Sequence, residues 1–188
     1  MRRDGRPCPL PAPPRGRAPR APLVLRPRGP HAGTLRLGRW RVPCAIGRGG
    51  VSGAKREGDG ATPRGEHRVT ALLWRADRVA RPRWPGRSAR RIGPSDLWCD
   101  DPAHALYNRP ARAPLAASHE RLRRADRLYD LVLVLDWNAR GAPGRGSAIF
   151  VHRWRRPGAA TEGCVALPPL ALRRLAARLR PGARLLVP

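Results

Sequence analysis

Residues 129–138, "YDLVLVLDWN", hold the most apolar run of the chain, Leu131 to Leu135. Five consecutive aliphatic side chains leave no polar face, so the run reads as a central strand buried on both sides. Working downstream, "GAPGRG" (141–146) turns the chain into "SAIFVHRW" (147–154), a second core strand that ends at His152. "TEGC" (161–164) follows. Pro168 and Pro169 then suit the first turn of a helix, with Leu172, Leu175, Ala176 and Leu179 on one face and "RPG" (180–182) as its stop. "ARLLVP" (183–188) reads as a terminal strand.

Upstream, "SHERLRRADRLYD" (118–130) reads as a short helix capped by Ser118, and residues 75 to 115 read as irregular. "EHRVTALLW" (66–74) has strand patterning. "RGGVSGAKREGDGATPRG" (48–65) is too rich in glycine for regular structure and reads as a long shaped loop. "PLVLRP" (22–27), "GTLRLG" (33–38) and "RWRVPCAIG" (39–47) are three further strand candidates. In the last, Trp40, Val42 and Cys44 alternate with Arg39 and Arg41, and Pro43 argues for a sheet margin. Residues 1–21, mostly Pro, Arg and Gly, have little to bury and read as a disordered tail before a domain spanning 22–188. The fold class is therefore mainly β, with one or two short helices.

Composition bounds the partners. The 188 residues carry a formal net charge of +26, and Lys55 is the sole lysine among 39 basic residues. Such charge favours polyanions: nucleic acid, an anionic membrane surface or an anionic wall polymer. Yet the arginines are scattered among Pro, Gly and Ala, as a GC-rich coding sequence would leave them, and aromatics are not interleaved as a base-stacking platform requires. A solvated basic surface is the plainer reading, and no nucleic-acid partner is expected, though a basic nucleic-acid-binding protein with a structural cysteine stands as an alternative. Cys8, Cys44, Cys99 and Cys164 form no C-x-x-C pair, and the scattered histidines have no metal-ligand spacing, so neither metal nor cofactor is expected. No apolar run approaches the roughly 20 residues of a membrane span. The basic N-terminus shows no apolar core of a secretory signal.

Cys164 follows a glycine and comes twelve residues after His152. A catalytic thiol needs a histidine within reach to take its proton, and backbone N–H groups to hold an oxyanion. Gly163 and Cys164 are the candidates for those N–H groups. A buried structural cysteine is the competing reading, because free cysteine is among the most buried residue types.

The ordered set "KREGDGATPRG" (55–65), "DLWCDDP" (96–102), "YN" (107–108), "YDLVLVLDWN" (129–138), "FVH" (150–152) and "TEGCV" (161–165) closely resembles the L,D-transpeptidase (YkuD-like) catalytic domain, over about residue 22 to the C-terminus. That resemblance implies a β-sandwich-like domain acting on peptidoglycan stem peptides, in the periplasm or cell wall. It makes Cys164 the nucleophile, His152 the general base, Gly163 the signature glycine and Thr161 the hydroxyl position. D-Alanine would leave and an amine resolve the thioester; water in its place would make a carboxypeptidase, and a lapsed wall-binding member is the other alternative within the family. Two positions depart from the family: Glu162 where histidine is usual, and Ala166 where arginine or asparagine is. The His152–Cys164 spacing is also short. A carboxylate facing the thiol would raise its pKa, so Glu162 is expected to face outward towards Arg153, Arg155 or Arg156.

The remaining polar residues are expected to divide. Lys55, Glu57 and Asp59 suit a network that stabilises the loop. Trp98, Asp100 and Asp101 suit either a surface turn or a cleft for a cationic amine, and Tyr107 joins Trp98, Asp100 and Thr161 as a candidate substrate contact. Tyr129 and Trp137 read as core, Cys44 as inert.

Overall fold

A computed structural model describes residues 21–85 and 88–188. The tail expected over 1–21 lies, apart from Ala21, outside the described residues, as does Cys8. The described elements are β1 (Leu23–Pro27), β2 (Ala32–Leu37), β3 (Trp40–Ala45), β4 (Val51–Ser52), β5 (Thr62–Pro63), β6 (Gly65–Trp74), β7 (Ala89–Arg91), β8 (Asp96–Cys99), β9 (Arg109–Arg112), β10 (His119–Arg121), β11 (Leu131–Leu135), β12 (Phe150–Arg153), β13 (Val165–Leu167), α1 (Pro169–Arg178) and β14 (Arg184–Val187).

The mainly β class stands, but the sandwich-like arrangement is corrected. The large sheet runs β11-β12-β13-β3-β2-β1-β14-β6-β7, and β11 pairs again with β6. The ring thereby closes, barrel-like, instead of forming two facing sheets. Strand β6 makes this possible because its 10 residues serve three neighbours: Gly65–Arg68 pair with β14, Val69–Trp74 with β11, and Leu72–Trp74 also with β7. The register shifts between Val134 and Leu135, which face Ala71 and Val69, so Thr70 is extra and its hydroxyl donates to the Val134 carbonyl at 3.2 Å. Such a bulge adds the local bend that closure needs.

Alternation along the strands sorts the side chains. Leu131, Leu133 and Leu135 of β11 join Leu23, Leu35, Leu72 and Val151 in the main core, with Leu172, Leu175 and Ala176 of α1 packed against it. Val132 and Val134 face the other way, with Phe150 and Cys164, and are covered by Ile92, Trp98, Leu122 and Tyr129. Each of β11, β12 and β13 is thus buried on both faces, as the unbroken apolar run requires. The second face is roofed partly by a small antiparallel sheet in the order β10-β8-β9.

That small sheet overturns two expectations. Residues 75–115 are not wholly irregular, since they hold β7, β8 and β9. Nor does 118–130 form a helix: His119–Arg121 pairs antiparallel with Leu97–Cys99, and bends and turns follow. Pro43 behaves as expected. Strand β13 touches β3 only at Ala166↔Ala45, so Pro43 sits where β3 has a partner on one side alone.

Candidate active site

The parallel pairing of β12 with β13 sets the site. Val151 lies opposite Val165 and His152 opposite Ala166. Because alternate residues share a face, His152, Ala166 and Cys164 all point to the same side of the sheet. The twelve-residue separation thus spans the connection between two adjacent parallel strands. Both side chains line one pocket of about 530 Å³.

The loop before the thiol is tied down locally. Thr161 N–H donates to the Ile46 carbonyl at 3.0 Å, and Arg48 N–H to the Thr161 carbonyl at 2.8 Å. The Thr161 hydroxyl donates to the Cys164 carbonyl at 2.6 Å and accepts the Gly163 N–H at 3.2 Å. Thr161 therefore shapes the loop, although it also borders the pocket. The Gly163 N–H, a candidate oxyanion donor, is already engaged. Glycine is required here for two other reasons: φ is +133°, and a Cβ would stand 2.8 Å from the Ala61 carbonyl oxygen.

The thiol of Cys164 donates to the Ala148 carbonyl at 3.1 Å and accepts the Phe150 N–H at 3.3 Å. Burial pushes its pKa up to about 12, and the Glu120 carboxylate adds to this. His152 Nδ1 lies 2.7 Å from the Arg153 carbonyl oxygen, which only accepts, so Nδ1 carries the proton and Nε2 has the free lone pair. Burial holds this imidazole down to about 4. With the two groups displaced so far apart, the resting pair is neutral thiol and neutral imidazole.

Tyr129, read as core, packs there and does more. Its ring meets His152 edge-on at 5.3 Å and Phe150 at 5.9 Å, and its hydroxyl donates to Glu120. Glu120 is half-buried, and desolvation raises its pKa. Glu120, Asp100 and Glu57 all border the pocket, and Oδ1 of Asp100 is buried without a hydrogen-bond partner. Arg48, Arg124 and Arg155 border the pocket as well, so its wall carries both charges, and the unpartnered Asp100 oxygen is the acceptor that suits a cationic group. Glu120 was missed because its segment has helical spacing, and nothing local ties it to Tyr129.

Two expected substrate contacts are corrected. Trp98 is buried under the pocket: its ring meets Phe150 edge-on at 4.9 Å and its Nε1–H donates to Asn108 at 3.0 Å. Tyr107 is buried too, and its hydroxyl donates to Glu57. Both support the site from behind, because aromatic rings of this size are held by the second core cluster or by the loop. Asp100 does reach the pocket; Asp101 instead accepts the Ala103 N–H at 2.9 Å within its own turn. The loop network forms around Lys55, whose buried ammonium donates to Asp59 at 2.5 Å and to the Arg56 carbonyl at 2.6 Å. Glu57 leaves that network for Tyr107. Cys44 is buried and its thiol is pushed up to about 12, as an inert core residue would be. Among the described residues, no cluster of His, Cys, Asp and Glu is arranged to hold a metal ion.

Glu162 faces outward. It accepts Arg48 Nε–H at 2.7 Å, with side chains 75% and 57% exposed, so the partner is Arg48 and not Arg153, Arg155 or Arg156. An exposed pair of this kind contributes about 0–1 kcal/mol. Glu162→Gln is accordingly expected to leave the pH profile of Cys164 alkylation unchanged, measured by mass on the Cys164 peptide. An acidward shift would place the carboxylate at the thiol.

Among protein-family models, the chain matches that of the L,D-transpeptidase catalytic domain (YkuD) over residues 32–187. No curated protein and no solved structure matches the chain.

Proposed function

Because the chain belongs to the L,D-transpeptidase (YkuD) catalytic-domain family, we propose that it is a cysteine acyltransferase that cross-links peptidoglycan stem peptides, with Cys164 as nucleophile and His152 as general base. The observation that carries this reading is the shared face of β12 and β13, which presents thiol and imidazole to one pocket. The tautomer of His152 supports it, since the free lone pair on Nε2 is what a base needs.

The resting pair is neutral, so proton transfer accompanies attack and does not precede it. Sγ bonds to the carbonyl carbon before a terminal D-alanine as its proton passes to Nε2 of His152. The tetrahedral intermediate then expels the D-alanine amine, which takes that proton, and leaves a thioester on Cys164. An acceptor amine attacks the thioester. Its surplus proton goes through His152 to the departing thiolate, restoring the thiol.

The unpartnered Asp100 carboxylate oxygen favours an amine over water as acceptor, because an ammonium group can donate to it before it is deprotonated. Action on this substrate places the protein at the cell wall or in the periplasm. Among the described residues, no helix is long and apolar enough to cross a membrane.

Incubation of the purified protein with isolated sacculi, followed by muropeptide analysis, tests the proposal. Cross-linked dimers with release of D-alanine are expected. Monomers shortened by one D-alanine without dimers would assign a carboxypeptidase, and unchanged muropeptides would overturn the reading.

A further inference from the structure

Asn108 is buried beneath the site, and all of its side-chain hydrogen-bonding capacity is used. Its Oδ1 accepts the indole N–H of Trp98 at 3.0 Å and the backbone N–H of Ala148 at 3.0 Å. Its Nδ2 donates to the carbonyls of Trp137 at 2.9 Å and Asn138 at 2.8 Å. One of these four bonds leads to the thiol. Ala148 is a non-glycine residue with φ of +52°, in the left-handed region where a Cβ is crowded. Its carbonyl oxygen is the acceptor of the Cys164 thiol.

A residue held in that region persists only where its surroundings determine it. The hydrogen bond from the Ala148 N–H to Asn108 is such a determinant, and it fixes the peptide whose next carbonyl meets sulfur. We propose that Asn108 is a positioning residue for the nucleophile: it holds Ala148 left-handed and thereby aims the Ala148 carbonyl at the Cys164 thiol. This rests on the reading of Cys164 as the nucleophile. It adds a chain of control from β8, through Trp98 and Asn108, to the atom that reacts.

The sign of the effect is specific. A carbonyl oxygen accepts a hydrogen bond from the neutral thiol and repels the thiolate, so its presence keeps the resting sulfur protonated. Releasing the carbonyl removes that restraint. The thiol then loses its fixed direction, which lowers turnover, yet ionises more easily, which raises its reactivity towards a small reagent. The titratable groups that face the thiol are Glu120 from β10, Lys55 from the β4–β5 loop, Tyr129 ahead of β11 and His152 from β12. All of them remain in the variants below.

Two variants of the full chain break the link from opposite ends. Asn108→Ala removes the acceptor. Ala148→Pro removes the N–H and imposes a negative φ, while leaving the bonds of Asn108 to Trp98, Trp137 and Asn138 available. In either variant, iodoacetamide alkylation of Cys164 at neutral pH is expected to rise about tenfold, the gain from a thiol pKa one unit lower. Alkylation of buried Cys99, read on its own peptide, serves as the measure of general loosening and should not change. On sacculi, kcat should fall with KM little altered. The proposal is overturned if Cys164 reactivity in a folded variant equals the wild-type value, or if Cys99 rises in step with Cys164. Should Asn108→Ala fail to fold, Ala148→Pro decides alone. Alkylation is independent of turnover, so a wild-type protein inactive on sacculi would sink the transferase reading and leave this contrast readable.

Discussion

Cys164→Ser is expected to lower turnover by about a thousandfold or more while leaving the fold intact. The fold should survive because a serine hydroxyl can replace the thiol in both of its contacts, donating to the Ala148 carbonyl and accepting the Phe150 N–H. The second core cluster loses only the difference in size between sulfur and oxygen. Chemistry is another matter. The base is an imidazole held down to about 4, which is too weak to deprotonate an alcohol and adequate only when the nucleophile is intrinsically strong. Muropeptide turnover and a melting curve on the same preparation check both halves. Activity within a few fold of wild type would remove the thiol from the mechanism.

The second large effect is acid sensitivity, and His152 is its source. The ring is buried and its pKa is lowered from 6.5 to about 4 by that burial. In the unfolded chain the ring takes up a proton below about 6.5, whereas the folded chain resists until about 4. Stability is therefore intact above the unfolded value and falls as pH drops through this window, by about 3 kcal/mol in all. Glu120 works in the opposite direction, since burial raises its folded pKa and acid relieves the cost of its charge. Comparing wild type with His152→Gln removes that contribution, because Glu120 is common to both. Urea unfolding across this pH range should show the variant losing less stability than wild type. Parallel curves would mean that water reaches the ring.

Much of the ring of strands was legible. Leu131–Leu135 declared a strand buried on both faces because both alternating sets of side chains are aliphatic, and the helix declared itself through Leu172, Leu175 and Ala176 between a proline start and a glycine stop. What was not legible depended on distant partners. His119–Arg121 looks helical by itself and becomes a strand because Leu97–Cys99 offers it an edge. Strand β13 is hidden by its three-residue length behind a cysteine that attracts a catalytic reading. Closure of the ring rests on β6 pairing with β11, separated by more than fifty residues, and no short window records it.

The site divides the same way. Cys164, His152 and Gly163 were candidates by their spacing, and the roles expected of them came from the family resemblance. Trp98 and Tyr107 were misplaced because an aromatic ring in an irregular, polar stretch looks exposed until the β8–β9 hairpin folds over β11 and β12. Asn108 and Ala148 carry no signature at all: an asparagine with four partners and an alanine with a left-handed backbone are visible only in three dimensions.

Strand β14 joins the ring between β1, to which it runs parallel, and β6, to which it runs antiparallel. It also follows every other described strand in the chain. During synthesis the segments from β1 to α1 therefore emerge with a gap between β1 and β6 that nothing earlier can fill. Two sheet edges stay unpaired in the nascent chain, and such edges invite association with other chains. Closure demands a contact between Leu23 and Leu185, almost the longest sequence separation the domain contains, and contacts of that range form slowly. The vulnerable interval in the life of this protein is consequently the one just before β14 is made, when nearly all of the core exists and the ring that should contain it is still open.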